Sequence, residues 1–133
     1  MESNRIISLK TVKNFKTGEL HFTDNNIPFN TKRIFLLNNF YDLTDNNKTR
    51  GLHVNLNFDE FIIVNEGYID VKIIKKNKDI IEFRLNKNEC LYFSRGYWLE
   101  FIIGTINTSI TVLANMIQSE SISCYNFEEF INS

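Results

Sequence analysis

Few side chains in this sequence can carry a proton or a metal near neutral pH. Among 133 residues there are two histidines, His21 and His53, and two cysteines, Cys90 and Cys124, with no Cys-x-x-Cys pair. That count argues against a thiol-rich zinc site or a disulfide framework, and the cysteines read as buried apolar thiols. The densest polar grouping is Gly51-x-His53-x-Asn55-x4-Glu60-x6-Gly67. Residues two apart on a strand point to the same face, so His53 and Asn55 can address one point. An imidazole titrates near pH ~6.5 and can both take and give protons in a cell, which makes His53 the first candidate for acid–base work. Glu60 is the second, able to orient or reprotonate His53; facing a barrel interior, its carboxylate requires a partner. The plainer readings are a structural strand histidine and a solvated glutamate. One imidazole and one carboxylate make a poor transition-metal site, so no metal is expected.

The elements that must position these residues read as strands. Isoleucine, valine and twelve phenylalanines recur in short runs separated by Asn, Gly, Lys and Asp clusters. Strands are predicted over Ile6 to Leu9, Glu19 to Phe22, Arg33 to Leu37, Leu52 to Leu56, Glu60 to Val64, Tyr68 to Ile74, Ile80 to Leu85, Cys90 to Phe93, Trp98 to Ile103 and Ser109 to Asn115. Turn residues at 65–67, 76–79 and 86–89 fit tight hairpins in a regular meander. One proline, Pro28, and little 3.6-residue periodicity point to an all-β sandwich or barrel. Only the tail from Ser123 to Ile131 reads as helical, and the polar loop over 38–49 is the longest connection.

Composition narrows the function classes. With 43% hydrophobic residues, 23% charged and a net charge of -1, the chain has the makings of a packed core and lacks the basic surface of a nucleic-acid binder. No linker or repeat divides it, so one domain over residues 1–133 is expected. No run approaches the ~20 apolar residues of a membrane span, and residues 1–5 lack the apolar core of a secretion signal, which predicts a cytoplasmic protein without membrane contact.

The grouping around His53 resembles the first cupin motif, in which His-x-His is followed five residues later by a glutamate. Asn55 stands at the second histidine, and Leu99 stands where the second cupin motif places its last ligand, in Ser94-Arg95-Gly96-Tyr97-Trp98-Leu99. Longer blocks resemble the RmlC-like, WxcM-like cupins that act as dTDP-4-keto-6-deoxyhexose 3,4-ketoisomerases. These blocks are Ile27-Pro28-Phe29-Asn30-Thr31-Lys32-Arg33-Ile34-Phe35-Leu36, Arg50-Gly51-Leu52-His53-Val54-Asn55-Leu56, Glu66-Gly67, Tyr97-Trp98-Leu99-Glu100, Val112-Leu113-Ala114-Asn115 and Tyr125-Asn126-Phe127. Order and spacing hold from about Thr17 to Phe130.

The resemblance implies a cupin, or double-stranded β-helix jelly roll, with a short helical tail. It also implies an isomerase that moves a sugar carbonyl from C4 to C3 through an enediol, without a cofactor, and that works as a homodimer in making deoxyamino sugars for surface polysaccharide such as O-antigen. Its substrate would be a dTDP-linked keto-deoxysugar. His53 would be the base, with Glu60 and Tyr92 as partners and Tyr97 and Tyr41 as further hydroxyls, while Arg33, Arg50, Asn55, Trp98 and Tyr97 would contact substrate. The two arginines suit a diphosphate, and a structural salt bridge explains either equally well; Lys32, Lys48 and Arg95 come behind them. Trp98 would be a pocket wall, and His21 an edge-strand residue. Against the family pattern, Asn55 and Leu99 replace histidines, Leu56 a lysine, Glu60 a glutamine, Phe35 and Leu36 tyrosines, and Thr17 an arginine. A relative that only binds a nucleotide sugar or a partner enzyme, or an epimerase acting on a related sugar, is the alternative.

Overall fold

In the computed structural model, which describes residues 5–14, 16–24, 26–44 and 48–133, the two-residue periodicity closes into two facing antiparallel sheets. The order is β1 (Ile6–Ser8), β2 (Lys10–Asn14), β3 (Gly18–Phe22), β4 (Arg33–Leu37), β5 (Thr49–Asn55), β6 (Glu60–Glu66), β7 (Tyr68–Ile74), β8 (Ile80–Asn86), β9 (Glu89–Phe93), β10 (Trp98–Ile103), β11 (Ser109–Ala114), a single 3-10 turn (Gln118–Glu120), β12 (Ser123–Cys124) and α1 (Phe127–Asn132). One sheet runs β1-β9-β6-β11-β4 and the other β12-β5-β10-β7-β8, while β2 and β3 pair as a separate hairpin. The expected all-β jelly roll with a short C-terminal helix is what forms. Among the described residues no helix is long and apolar enough to cross a membrane.

The meander is not. Strands adjacent in sequence mostly change sheets: β6 lies between β9 and β11, and β10 between β5 and β7. Gly67, expected in a hairpin turn, carries the chain from one sheet to the other at φ +72°, and a β-carbon there would lie 2.3 Å from the Thr108 hydroxyl. Asn88, at φ +67°, makes a similar crossing between β8 and β9. Of the three expected hairpin turns, only the one at 76–79 joins paired strands, β7 and β8. The sequence also hid β2, whose Lys10-Thr11-Val12-Lys13-Asn14 is exposed throughout and carries no apolar alternation, and β12, which is two residues long and falls in the expected helix. Part of the 38–49 loop, residues 45–47, lies outside the described residues.

Alternate residues of β6, β7, β9, β10 and β11 fill the barrel. Ile62, Val64, Ile69, Val71, Ile73, Leu91, Phe93, Leu99, Phe101, Ile110 and Val112 form one buried cluster with Leu85. Two smaller clusters cover the outside: Val54, Ile74 and Trp98 under Phe130, and Ile7, Phe61 and Cys90 under the N-terminal segment. Burial beside Glu89 pushes the Cys90 thiol up to about 12, so it packs as an apolar group.

One irregularity bears directly on the candidate site. On β5, His53 pairs with Leu99 and Arg50 with Phe101, but Gly51 pairs with Glu100, leaving Leu52 as an extra residue. Gly51 and Leu52 take φ +81° and +58° to make this bulge. Paired residues share a face, so Arg50 joins His53 on the inner side with Leu99 and Phe101; three residues apart on a regular strand, the two would face opposite ways. β5 starts at Thr49 rather than at the expected Leu52, and its pairing with β10 continues past the bulge to Thr49. A β-carbon at Gly51 would lie 2.7 Å from the Leu99 carbonyl oxygen. Gly51→Ala should therefore cost more than about 1 kcal/mol in urea unfolding; an unchanged midpoint would show that this glycine does not hold the bulge.

Candidate functional site

Two cavities open at one end of the barrel and share Phe35, His53, Glu60 and Tyr125 as walls. The inner one, about 380 Å³, runs into the barrel past Arg50, Leu37, Ile62, Leu99, Phe101 and Val112. The outer one, about 530 Å³, is lined in addition by Arg33, Phe58, Gln118, Ser121 and Ser123. The fold supplies these residues in a simple way. On β4, the inward positions Arg33, Phe35 and Leu37 face Ala114, Val112 and Ile110 across the ladder. On β6, Glu60 takes the first inward position, between Phe93 and Ala114.

Glu60 is 6% exposed. Burial raises its carboxyl above the ordinary glutamate value, a shift partly opposed by a hydrogen bond from Asn55 and by the charges of His53 and Arg33. The Asn55 Nδ2 group donates to Glu60 Oε1 at 2.7 Å, and Asn55 itself is fully buried. A carboxyl in this setting holds its proton more tightly than an exposed glutamate does.

Arg33 comes to the outer cavity with its guanidinium between two rings, 5.3 Å from the centre of Phe35 and 5.2 Å from that of Phe58. Its Nη1 donates to Gln118 Oε1, while its buried Nε has no hydrogen-bond partner among the described residues. Next to Glu60, Asp59 anchors the start of β6. Burial pushes the Asp59 carboxyl up, but hydrogen bonds from Arg95 and Asn115 outweigh that and hold it below the ordinary value. Arg95 reaches it from its backbone N at 2.8 Å and from Nε at 3.1 Å. Arg95 is therefore a structural partner of Asp59 rather than a free cation.

Of the residues singled out in the sequence, His53, Glu60, Arg33 and Arg50 line the cavities, and Asn55 lies behind Glu60. Tyr92 does not join them. It faces the outside of β9, near Phe29 at 6.3 Å, where burial and the Asp59 carboxylate raise its phenol further. Trp98 is not a pocket wall either: paired with Val54, it points outward under the C-terminal helix, and its Nε1 donates to Glu100 at 3.1 Å. Tyr97 packs against the main core without lining either cavity, and Tyr41 is 92% exposed. His21 sits on the β2–β3 hairpin between Thr11 and Glu19, away from the cavities. Strand alternation alone could not sort these, because it leaves open which face is the inside and misses the bulge. Residue-level reading also overlooked Tyr125 and Gln118, although Tyr125 lies in the tail block Tyr125-Asn126-Phe127. Among the described residues no three or more His, Cys, Asp or Glu side chains gather as metal ligands would.

Comparison with known proteins bears on the family and the fold. The family model described as FdtA, WxcM-like, C-terminal, matches residues 2–133. No match was found among curated proteins. Among solved structures, the chain resembles WlaRA, a TDP-fucose-3,4-ketoisomerase from Campylobacter jejuni, at 27% identity over 98% of this chain and 95% of that one, with a TM-score of 0.77. It resembles WlaRB, a TDP-quinovose 3,4-ketoisomerase from the same organism, at 24% identity over 100% of both chains, with a TM-score of 0.82. The sugar 3,4-ketoisomerase QdtA from Thermoanaerobacterium thermosaccharolyticum, solved in complex with TDP, matches at 23% identity over 96% of this chain and 91% of that one, with a TM-score of 0.80.

The raised carboxyl of Glu60 predicts a pH-dependent contribution to stability. A group whose folded value lies above its unfolded one adds stability that is complete below the unfolded value, about 4.3 for glutamate, and is lost as pH rises through the folded value. Glu60→Gln has no charge to develop. The melting temperature of that variant should therefore rise relative to the native protein as pH increases above about 4, as read by thermal melts at a series of pH values; a constant difference would mean that Glu60 titrates as it does in the unfolded chain.

Proposed function

This chain belongs to the FdtA family of WxcM-like C-terminal domains, and on that premise we propose that it is a TDP-sugar 3,4-ketoisomerase acting on TDP-4-keto-6-deoxyglucose. The observation that carries the reading is that His53 and Glu60, two titratable groups in different settings, wall the same cavities. In this reading His53 removes the proton at C3 while neutral Glu60 protonates the C4 oxygen, giving the enediol. Glu60 then takes back the hydroxyl proton at O3 as the imidazolium returns its proton to C4. The carbonyl ends on C3, and both side chains recover their starting states. Arg33 and Arg50 offer guanidinium groups to the diphosphate, one at each cavity. Asn55 acts through Glu60 as a positioning residue.

The product, a 3-keto sugar, is of the kind an aminotransferase consumes in making deoxyamino sugars for surface polysaccharide. We place the enzyme in the cytoplasm as a homodimer. Apolar side chains left on the outside support self-association: Ile34 and Leu36 on the outer face of edge strand β4, 64% and 61% exposed, and the paired Val12 and Leu20 of the β2–β3 hairpin. Light scattering at micromolar concentration should read twice the chain mass of 15.7 kDa; a monomer would remove this part of the proposal.

A second reading has an observation of its own, since Asn55 and Leu99 face the interior where the resembled family carries histidines. It makes the protein a nucleotide-sugar binder without turnover. The deciding experiment incubates the protein with TDP-4-keto-6-deoxyglucose in deuterated water and follows the ring protons by NMR. Deuterium entering the sugar with a shift of the carbonyl to C3, slowed roughly 10²- to 10⁴-fold in His53→Ala, supports the isomerase. A folded protein that binds TDP and leaves the sugar unchanged supports the binder.

A further inference from the structure

Beyond the residues assigned above, the end of the chain brings one more side chain to the cavities. β12 lies along β5 with Ser123 opposite Asn55 and Cys124 opposite Val54. Alternation therefore turns Cys124 outward with Val54, and turns Ser123 and Tyr125 inward, beside Asn55 and His53. The rings of Tyr125 and His53 lie 5.6 Å apart with their planes inclined at 48°. Tyr125 walls both cavities, yet it remains 73% exposed, so most of its ring is open to whatever enters.

A single exposed tyrosine on a surface needs no explanation. This one is held from both sides. Before it, Leu56 N donates to the Ile122 carbonyl at 2.9 Å, next to the β12–β5 ladder. After it, Asn126 caps α1 by accepting a hydrogen bond from Glu129 N at 2.9 Å. The helix has six residues, too few to stand alone. It is held by Phe127 and Phe130, whose rings lie 5.1 and 6.1 Å from that of Trp98. Trp98 thus fixes the position of Tyr125 from the opposite face of the sheet.

We propose that Tyr125 is a ligand-contacting residue whose ring stacks on the apolar C–H face of the pyranose in a nucleotide-linked deoxysugar, with the C-terminal helix seated on Trp98 as its brace. A sugar whose reacting carbon lies against His53 has to pass the neighbouring ring, and aromatic faces hold the C–H side of a pyranose through dispersion and the hydrophobic effect. A phenol also suits this place at the rim, with an apolar ring toward the ligand and a hydroxyl toward water. The inference rests on the nucleotide-sugar reading above, and its test separates the two.

Calorimetric titrations with TDP and with TDP-glucose, on the native protein and two variants, isolate the contribution of the pyranose. Tyr125→Ala should weaken TDP-glucose binding roughly 3- to 10-fold while leaving TDP within about two-fold, and Tyr125→Phe should keep the native values. Thermal melts verify that the variants stay folded. Equal TDP-glucose affinity in Tyr125→Ala and the native protein overturns the proposal. So does an equal loss in Tyr125→Phe, which would assign the effect to the hydroxyl, and so does an equal loss for TDP, which would place the ring against the nucleotide. A native protein that binds neither probe overturns the nucleotide-sugar reading itself, a result distinct from any of these.

Discussion

The buried carboxyl of Glu60 constrains everything around it. An ionised carboxylate taken from water into an apolar barrel is strongly disfavoured unless its surroundings replace what water gave it. Here the replacements are specific. The Asn55 amide supplies one short hydrogen bond, Arg33 supplies positive charge, and a protonated His53 would add to it. Arg33 is itself held between Phe35 and Phe58 and by Gln118, and these contacts keep its charge in place. Asp59, one residue earlier, fixes the start of β6 through Arg95 and Asn115, and so sets the point at which Glu60 turns inward. Burial still prevails over these partners, leaving a carboxyl that holds its proton more tightly than usual.

Two features complete the site, a bulge within β5 and a short ladder at its C-terminal end. The bulge at Gly51 and Leu52 reverses the alternation, so that Arg50 and His53 share the interior. At the C-terminal end, the short ladder with β12 carries the tail back along the strand and sets Tyr125 beside His53. β5 thus receives its polar inner face from its own sequence and from the last residues of the chain. Trp98 takes part from the far side, paired with Val54 and covered by α1, and acts by holding an element in place.

Sequence reading found the fold class and nearly every long strand because both rest on alternation and turn chemistry, which are local. It misjudged the connections. The 65–67 and 86–89 turns carry the same residues as hairpin turns, yet they take the chain between sheets, and only non-local pairing separates the two cases. For the site, His53, Asn55 and Glu60 were legible because spacings of two and five residues survive folding as neighbours. Tyr92 and Trp98 looked equally suitable by type, and one step of register turns both outward. Tyr125 was readable only as part of a family block, since its place depends on a two-residue strand that no propensity would announce.

Asn55, an amide beside the buried carboxyl, bears on how this site can hold protons. An amide does not titrate, and its Nδ2 group donates to Glu60 Oε1 whether or not the carboxyl is protonated. The protonation of Glu60 is then set by burial and by the charges of His53 and Arg33, with no second imidazole competing for the same proton. The two titratable groups also meet different surroundings. His53 stands beside an exposed tyrosine at the rim, and Glu60 sits below it in the apolar interior. Burial therefore acts on the carboxyl, raising its hold on a proton, at a point where the imidazole of His53 is also within reach of the cavities. With an amide rather than an imidazole at position 55, the titratable side chains that wall both cavities are His53, Tyr125 and a carboxyl whose hold on its proton burial strengthens.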